Sequence, residues 1–211
     1  MSVRPGSVLR ITMQERVAEF DYDGTITRLA PQIFALFPDE GRALAEAFVT
    51  NYLERTGLGD RMSAEARASM LTQSVRYVRE KFTNLAGEEW AHICRASVRE
   101  ARKHNISVRA LLVALQAAVD VGNAMIIRAN LEDVEHERAM LIAVRRISII
   151  EAETMCSVVA EDISTEEDLE RSRQSTLFQE QIGNDVDEAS QLGEGLREQA
   201  KDASGATRGM L

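Results

Sequence analysis

Proline, cysteine, histidine and aromatic side chains are all scarce in this chain. Its 211 residues include three prolines, two cysteines, three histidines, one tryptophan, three tyrosines and six phenylalanines. Few prolines, with Ala, Leu, Glu and Arg abundant, favour helix. Two cysteines exclude a disulfide scaffold. Cys94 and Cys156 fall on apolar helical faces and are expected as buried thiols in a reducing cytoplasm, with a disulfide or metal pair as the lesser alternative. No uninterrupted apolar run of about 20 residues exists, so no membrane span is expected. The most apolar stretch, 108–127, is broken by Arg109, Gln116, Asp120 and Asn123. The opening MSVRPGSVLRITMQER lacks the apolar core of a secretory signal.

Excess positive charge is missing too. The net charge is −9, and residues 161–211 hold thirteen acidic and five basic residues, leaving the first 160 near −1. An acidic C-terminal third argues against nucleic-acid binding and suits a solvated helical tail. There is no nucleophile with a plausible His partner, no Gly-rich phosphate loop and no CxxC, so no enzyme is expected.

What is present is helical periodicity. After a loosely held leader over 1–15, a short helix is expected over 14–20. Asp21-Tyr22-Asp23-Gly24 then makes a turn, and Thr25 is expected to cap a helix with Ile26, Leu29, Ile33, Phe34 and Phe37 on one side. Pro38-Asp39 ends it. A helix over 41–55 turns Leu44, Ala45, Phe48 and Tyr52 inward, and Gly57 and Gly59 break it. Ser63 caps a helix to about 82, with Met70, Leu71, Val75, Val78 and Phe82 at core spacing. Helices over 88–103, 107–130 and 133–161 follow.

The last two are apolar over more than one face, so one face is expected to pack within the domain and the surplus to meet a second copy. Leu115, Val119, Met140, Val144 and Ile147 are the expected homodimer contacts. Residues 163–171, including ISTEEDLE, form an expected polar hinge. From Ser172, Phe178, Ile182, Val186, Ala189, Leu192 or Gly193, Leu196, Ala200 and Ala203 recur at threes and fours, the seam of a coiled coil. The pattern has no helix stop before Leu211, so the natural chain is expected to continue.

Asp21-Tyr22-Asp23-Gly24-Thr25 mimics the first motif of haloacid-dehalogenase-type phosphatases, with Asp21 as nucleophile, Asp23 as general acid and Mg2+ as cofactor. Gly183-Asn184-Asp185-Val186-Asp187 mimics a late acidic motif. That fold needs alternating strands and helices, whereas this chain runs at helical period. An acidic turn before a helix explains the same residues.

Two segments carry a resemblance. RVAEFDYDGTITRLAPQI and WAHICRASVREARKHNISVRALL, the latter with Trp90 as the aromatic and Asn105-Ile106 at the corner, resemble the sensor-globin (protoglobin-like) domain of globin-coupled sensors. The tail SQLGEGLREQAKDASGATRGML resembles the entry to the signalling hairpin of methyl-accepting chemotaxis proteins. The resemblance implies an all-α, globin-like sensor domain with an extra N-terminal helix over 1–162, a hinge over 163–171 and the start of a signalling coiled coil over 172–211. It implies a cytoplasmic input module of a soluble chemoreceptor, with chemotaxis signalling proteins as downstream partners and neither nucleic acid nor membrane as partner.

The family's haem-ligating His falls on Ala101, which has no donor atom, and its distal aromatic falls on Val49. Haem iron needs an axial His, Cys, Met or Tyr. His104, one helical turn on, would serve if the helix ended differently; otherwise it is an exposed corner residue. His92 lies off the right face, and His136, between Glu135 and Glu137, reads as solvated. Tyr52 reads as a core aromatic, or as a distal residue if haem binds. No cofactor is expected, with haem b as the alternative. Without haem, the cavity has to be filled by side chains or by another apolar ligand. Three functions stay open: a sensor without conventional His-ligated haem, a haem-based oxygen or redox sensor using His104, and a haem-free interaction scaffold of stressosome type.

Overall fold

The computed structural model describes residues 11–129 and 131–208, with side chains up to Ile182. The leader before Ile11, Asn130, the late acidic motif's side chains, the seam's side chains beyond Ile182 and the last three residues lie outside that description. The chain divides into two compact units, 1–160 and 161–211. Seven α-helices are described: α1 Met13–Phe20, α2 Thr25–Ala35, α3 Arg42–Thr56, α4 Ala64–Thr83, α5 Glu88–Lys103, α6 Val108–Arg128 and α7 Val134–Arg208. No strand occurs among the described residues. A single 3-10 turn, Pro38–Gly41, joins α2 to α3.

The ends of these helices follow from short polar side chains. Thr12 and Glu15 form a reciprocal capping box at the start of α1. Ser63 accepts from the Ala66 N–H, and Asp133 accepts from the Glu135 and His136 N–H groups. The start of α2 corrects the sequence expectation. Thr25 is its first helical residue rather than its cap. Asp21 caps the helix from a distance, accepting from the Ile26 N–H at 2.7 Å and the Thr27 N–H at 3.0 Å. Asp23 accepts from the Thr25 N–H at 3.1 Å and from Arg146 Nη1 at 2.9 Å. Both acids of the phosphatase-like motif are thus engaged at the start of α2 or with Arg146.

Gly41, at the start of α3, has φ +77° and sits against α4. A Cβ there would lie 2.6 Å from Val78 Cγ1, so both the backbone and the neighbour demand glycine. The α5–α6 corner is a Schellman turn. Asn105 is left-handed (φ 56°), its N–H donates to the Arg102 carbonyl, and the Ile106 N–H donates to the Ala101 carbonyl. This geometry ends α5 at Lys103 and leaves His104 as its C-terminal cap.

In the first unit, α3 packs on α6 and α4, α4 on α2 and α5, and α5 on α6. Two groups of buried side chains make the core. One surrounds fully buried Trp90, with Met13, Ile26, Leu29, Ile33, Ile126 and Ile150. The Trp90 indole N–H donates to the Leu85 carbonyl at 2.8 Å, which satisfies its one polar atom. The other group centres on Leu53, Val98, Leu111, Ala114 and Val158. The α6 helix is long and apolar enough to cross a membrane by composition. Here Leu111, Ala114, Leu115, Gly122 and Ile126 form a buried stripe along one side of it.

Three expectations change. Leu115, Met140, Val144 and Ile147, expected at a dimer interface, are buried in the chain's own core, and Val119 is half-buried against it. Helical period identifies a stripe but not what covers it, and the four buried side chains have almost no surface left for a partner. Residues 163–171, expected as a hinge, are helical backbone within α7. Cys156 is exposed, whereas Cys94 is buried, and both thiols are free.

Candidate functional site

Between α4 and α5, backed by α3, α6 and α7, lies a cavity of about 530 Å³. That is within the range of small-molecule sites, about 300–1,000 Å³. The α3 helix contributes Phe48 and Tyr52, whose rings are nearly parallel (5°) with centroids 6.1 Å apart. Met62, Met70 and Met155 add soft, adaptable surface. From α5 come Ile93, Cys94 and Ala101, and from α6 come Leu111 and Leu115. Polar side chains at the mouth include Gln73, Ser97, Glu100 and His104.

The inner end is charged. Lys81 on α4 and Glu151 on α7 are both buried, with Nζ 2.7 Å from Oε2. The Tyr77 hydroxyl donates to the other oxygen of Glu151. The Lys81 ammonium also lies 5.0 Å from the centroid of the Tyr77 ring and 5.5 Å from that of Phe82. Burial, then the negative charge of Glu151, pushes the Tyr77 phenol well above its ordinary range. Burial, reinforced by Glu151, pushes the neighbouring Cys94 thiol up to about 12. Cys94 is therefore a thiol rather than a nucleophilic thiolate. Burial also raises Tyr52, with Glu100 contributing.

The residues singled out by sequence divide. Ala101 is buried and lines the cavity, where it offers a methyl group. Tyr52 lines it as well. Val49 does not; it is buried in the core, and its neighbour Phe48 lines the space beside Tyr52. His104 reaches only the mouth. Its side chain is 62% exposed, and its Nε2 lies 3.1 Å from Glu100 Oε1. The Lys103 amino group and His104 hold the Glu100 carboxyl below its usual range. His92 is exposed and His136 half-buried, and neither lines the cavity. No cluster of His, Cys, Asp and Glu suited to a metal ion occurs among the described residues.

These donors do not fit a conventional His-ligated haem. The buried position on α5 is Ala101, and the Schellman turn fixes His104 beyond the helix end. Tyr77, of a type that can ligate haem iron, has its hydroxyl bonded to Glu151. A charged pair occupies the inner end.

Sequence reasoning missed Lys81, Tyr77 and Glu151. A signal was available: Lys81 lies beside Val78 and Phe82, and Glu151 lies among Ile147, Ile150 and Met155. Each is an ionisable residue within an apolar stripe, and such residues are buried only when paired.

No family model matches the chain, and no curated protein does. Among solved structures, the globin domain of the Geobacter sulfurreducens globin-coupled sensor is similar, with a TM-score of 0.55 and 18% identity. The similarity covers 70% of this chain and 97% of that one. The fold is all-α and globin-like.

Proposed function

We propose that the globin-like unit is the input module of a cytoplasmic signal-transduction protein, and that its stimulus enters the cavity without a His-ligated haem. The observation that carries this reading is the cavity itself, with Ala101 in its wall. At about 24 cal/mol per Å³, a dry void of this size would cost on the order of 10 kcal/mol. That is comparable to the whole stability of a domain, about 5–15 kcal/mol. The space therefore holds solvent or a ligand, and its mostly apolar lining favours a ligand.

The route outward begins on α7. Glu151 and Met155 face the cavity from this helix. A ligand that binds two packings of Lys81 and Glu151 unequally shifts their populations, and that shift moves α7. The likeness of the tail to chemoreceptor signalling segments supports chemotaxis proteins as the output. We place the homodimer contact on the exposed side of α6 and α7, where Ile127 and Ile149 are uncovered. There Ile142, Ile149 and Cys156 recur every seven residues.

The test is a haemin titration of the purified protein, followed by visible absorption, beside His104→Ala. The expected result is no stoichiometric Soret band in either protein. A sharp band at one haem per chain, lost in His104→Ala, would overturn the reading and make this a haem sensor with a displaced ligand.

A further inference from the structure

The inner end of the cavity has more hydrogen-bond donors than acceptors. An ammonium group has three N–H donors. Lys81 Nζ uses one on Glu151 Oε2, and the ring centroids of Tyr77 and Phe82 lie 5.0 and 5.5 Å from it. Glu151 is already served on both oxygens, one by Lys81 and one by Tyr77. Two Lys81 N–H groups thus remain without a protein acceptor at a buried position that lines the cavity. Buried donors are nearly always paired, with protein, water or ligand, and for these two the partner has to stand in the cavity.

The charge of that acceptor is constrained. The Lys81 charge is balanced by Glu151. A ligand carboxylate would place a second anion beside Glu151 in a poorly hydrated space, where like charges repel strongly. A neutral carbonyl oxygen accepts the same bonds without that repulsion. The rest of the ligand meets the Phe48–Tyr52 stack and methionine side chains, which suit an apolar or aromatic body.

We infer that the cavity takes a neutral, mainly apolar small molecule whose carbonyl oxygen accepts hydrogen bonds from Lys81 Nζ. The inference rests on the reading of the cavity as the stimulus site and adds the chemical class of the stimulus. The carbonyl takes the N–H groups that Glu151 leaves free, and the ion pair of the same ammonium with Glu151 ties occupancy to α7.

The test uses the full chain and prodan, a neutral naphthyl ketone whose emission reports both polarity and hydrogen bonding at its carbonyl. Removing Lys81 alone would strand a buried carboxylate, so the variant is Lys81→Met with Glu151→Leu, checked for an intact fold by circular dichroism. One prodan is expected to bind per chain with blue-shifted emission. The affinity is expected to fall about ten-fold or more in the double variant, the size of a lost hydrogen bond to a charged donor. Decanoate, the anionic comparison, is expected to compete at least about ten-fold more weakly than prodan. Equal prodan affinity in the double variant, or tighter binding of decanoate, overturns the ligand class and leaves the cavity as a ligand site. No binding of either also overturns it; haemin binding at one per chain would then remove the underlying reading as well.

Discussion

Lys81 and Glu151, separated by 70 residues, meet at the inner end of the cavity with Nζ 2.7 Å from Oε2. Their side chains are only 8% and 1% exposed. Breaking a buried pair from one side leaves a bare charge, which costs about 3–5 kcal/mol. Lys81→Met and Glu151→Leu are each expected to destabilise by about that much. The double variant is expected to recover most of the loss. Urea denaturation of all four proteins gives the double-mutant cycle, and additive single losses would show that the pair is not coupled.

Ala101 is 2% exposed and lines the cavity wall. Ala101→His places an imidazole where the wild type has a methyl group, with open space in front of it. The variant is expected to bind haemin with a Soret band at one haem per chain, while the wild type shows none. A folded variant with no band would mean that position 101 does not face the space.

The proposed dimer surface is testable apart from the core. Ile149 is 45% exposed, while Ile147 is 1% exposed. Ile149→Glu is expected to give a monomer by light scattering with little change in thermal stability. Ile147→Ala is expected to lower stability by about 2–5 kcal/mol without changing the mass. A concentration-independent monomer mass in the wild type would sink the dimer.

Arg146 ties α7 to the turn before α2 through Asp23 and the Tyr22 hydroxyl. Hydrogen bonding to Arg146, aided by the Thr25 N–H, lowers the Asp23 carboxyl from 3.8 to about 2. A carboxyl depressed on folding stabilises the fold above its unfolded value and stops doing so as pH falls through its folded value. The gap in urea midpoint between wild type and Asp23→Asn is therefore expected to be constant from neutral pH down to about pH 5. It should close between 3.8 and about 2. A gap that persists unchanged at the acid end would show that the carboxylate charge is not what matters.

Much of the fold was legible in the residues. Ser63, Asp133 and the Asn105-Ile106 corner marked helix ends, because capping is a local interaction read within a few positions. Thr25 was misjudged as a cap because Asp21, several residues earlier, reaches over and takes the same N–H groups. Sequence also placed Phe48 and Tyr52 on one inward side, which the cavity confirms. Val49, where the resemblance puts the distal aromatic, is buried in the core, and the adjacent Phe48 lines the space.

Sequence alone determined that the chain is helical, where most helices begin and end, that position 101 carries no metal donor, and that α6 and α7 are apolar beyond one face. These follow from local chain geometry and from the chemistry of single side chains. The tertiary structure decided which apolar stripe of α7 faces its own core, so Met140, Val144 and Ile147 went inside and Ile149 stayed out. It also decided that the cavity remains open and that Lys81, Tyr77 and Glu151 converge at its inner end. Helical period tells which residues share a face, but what covers that face depends on helices distant in sequence.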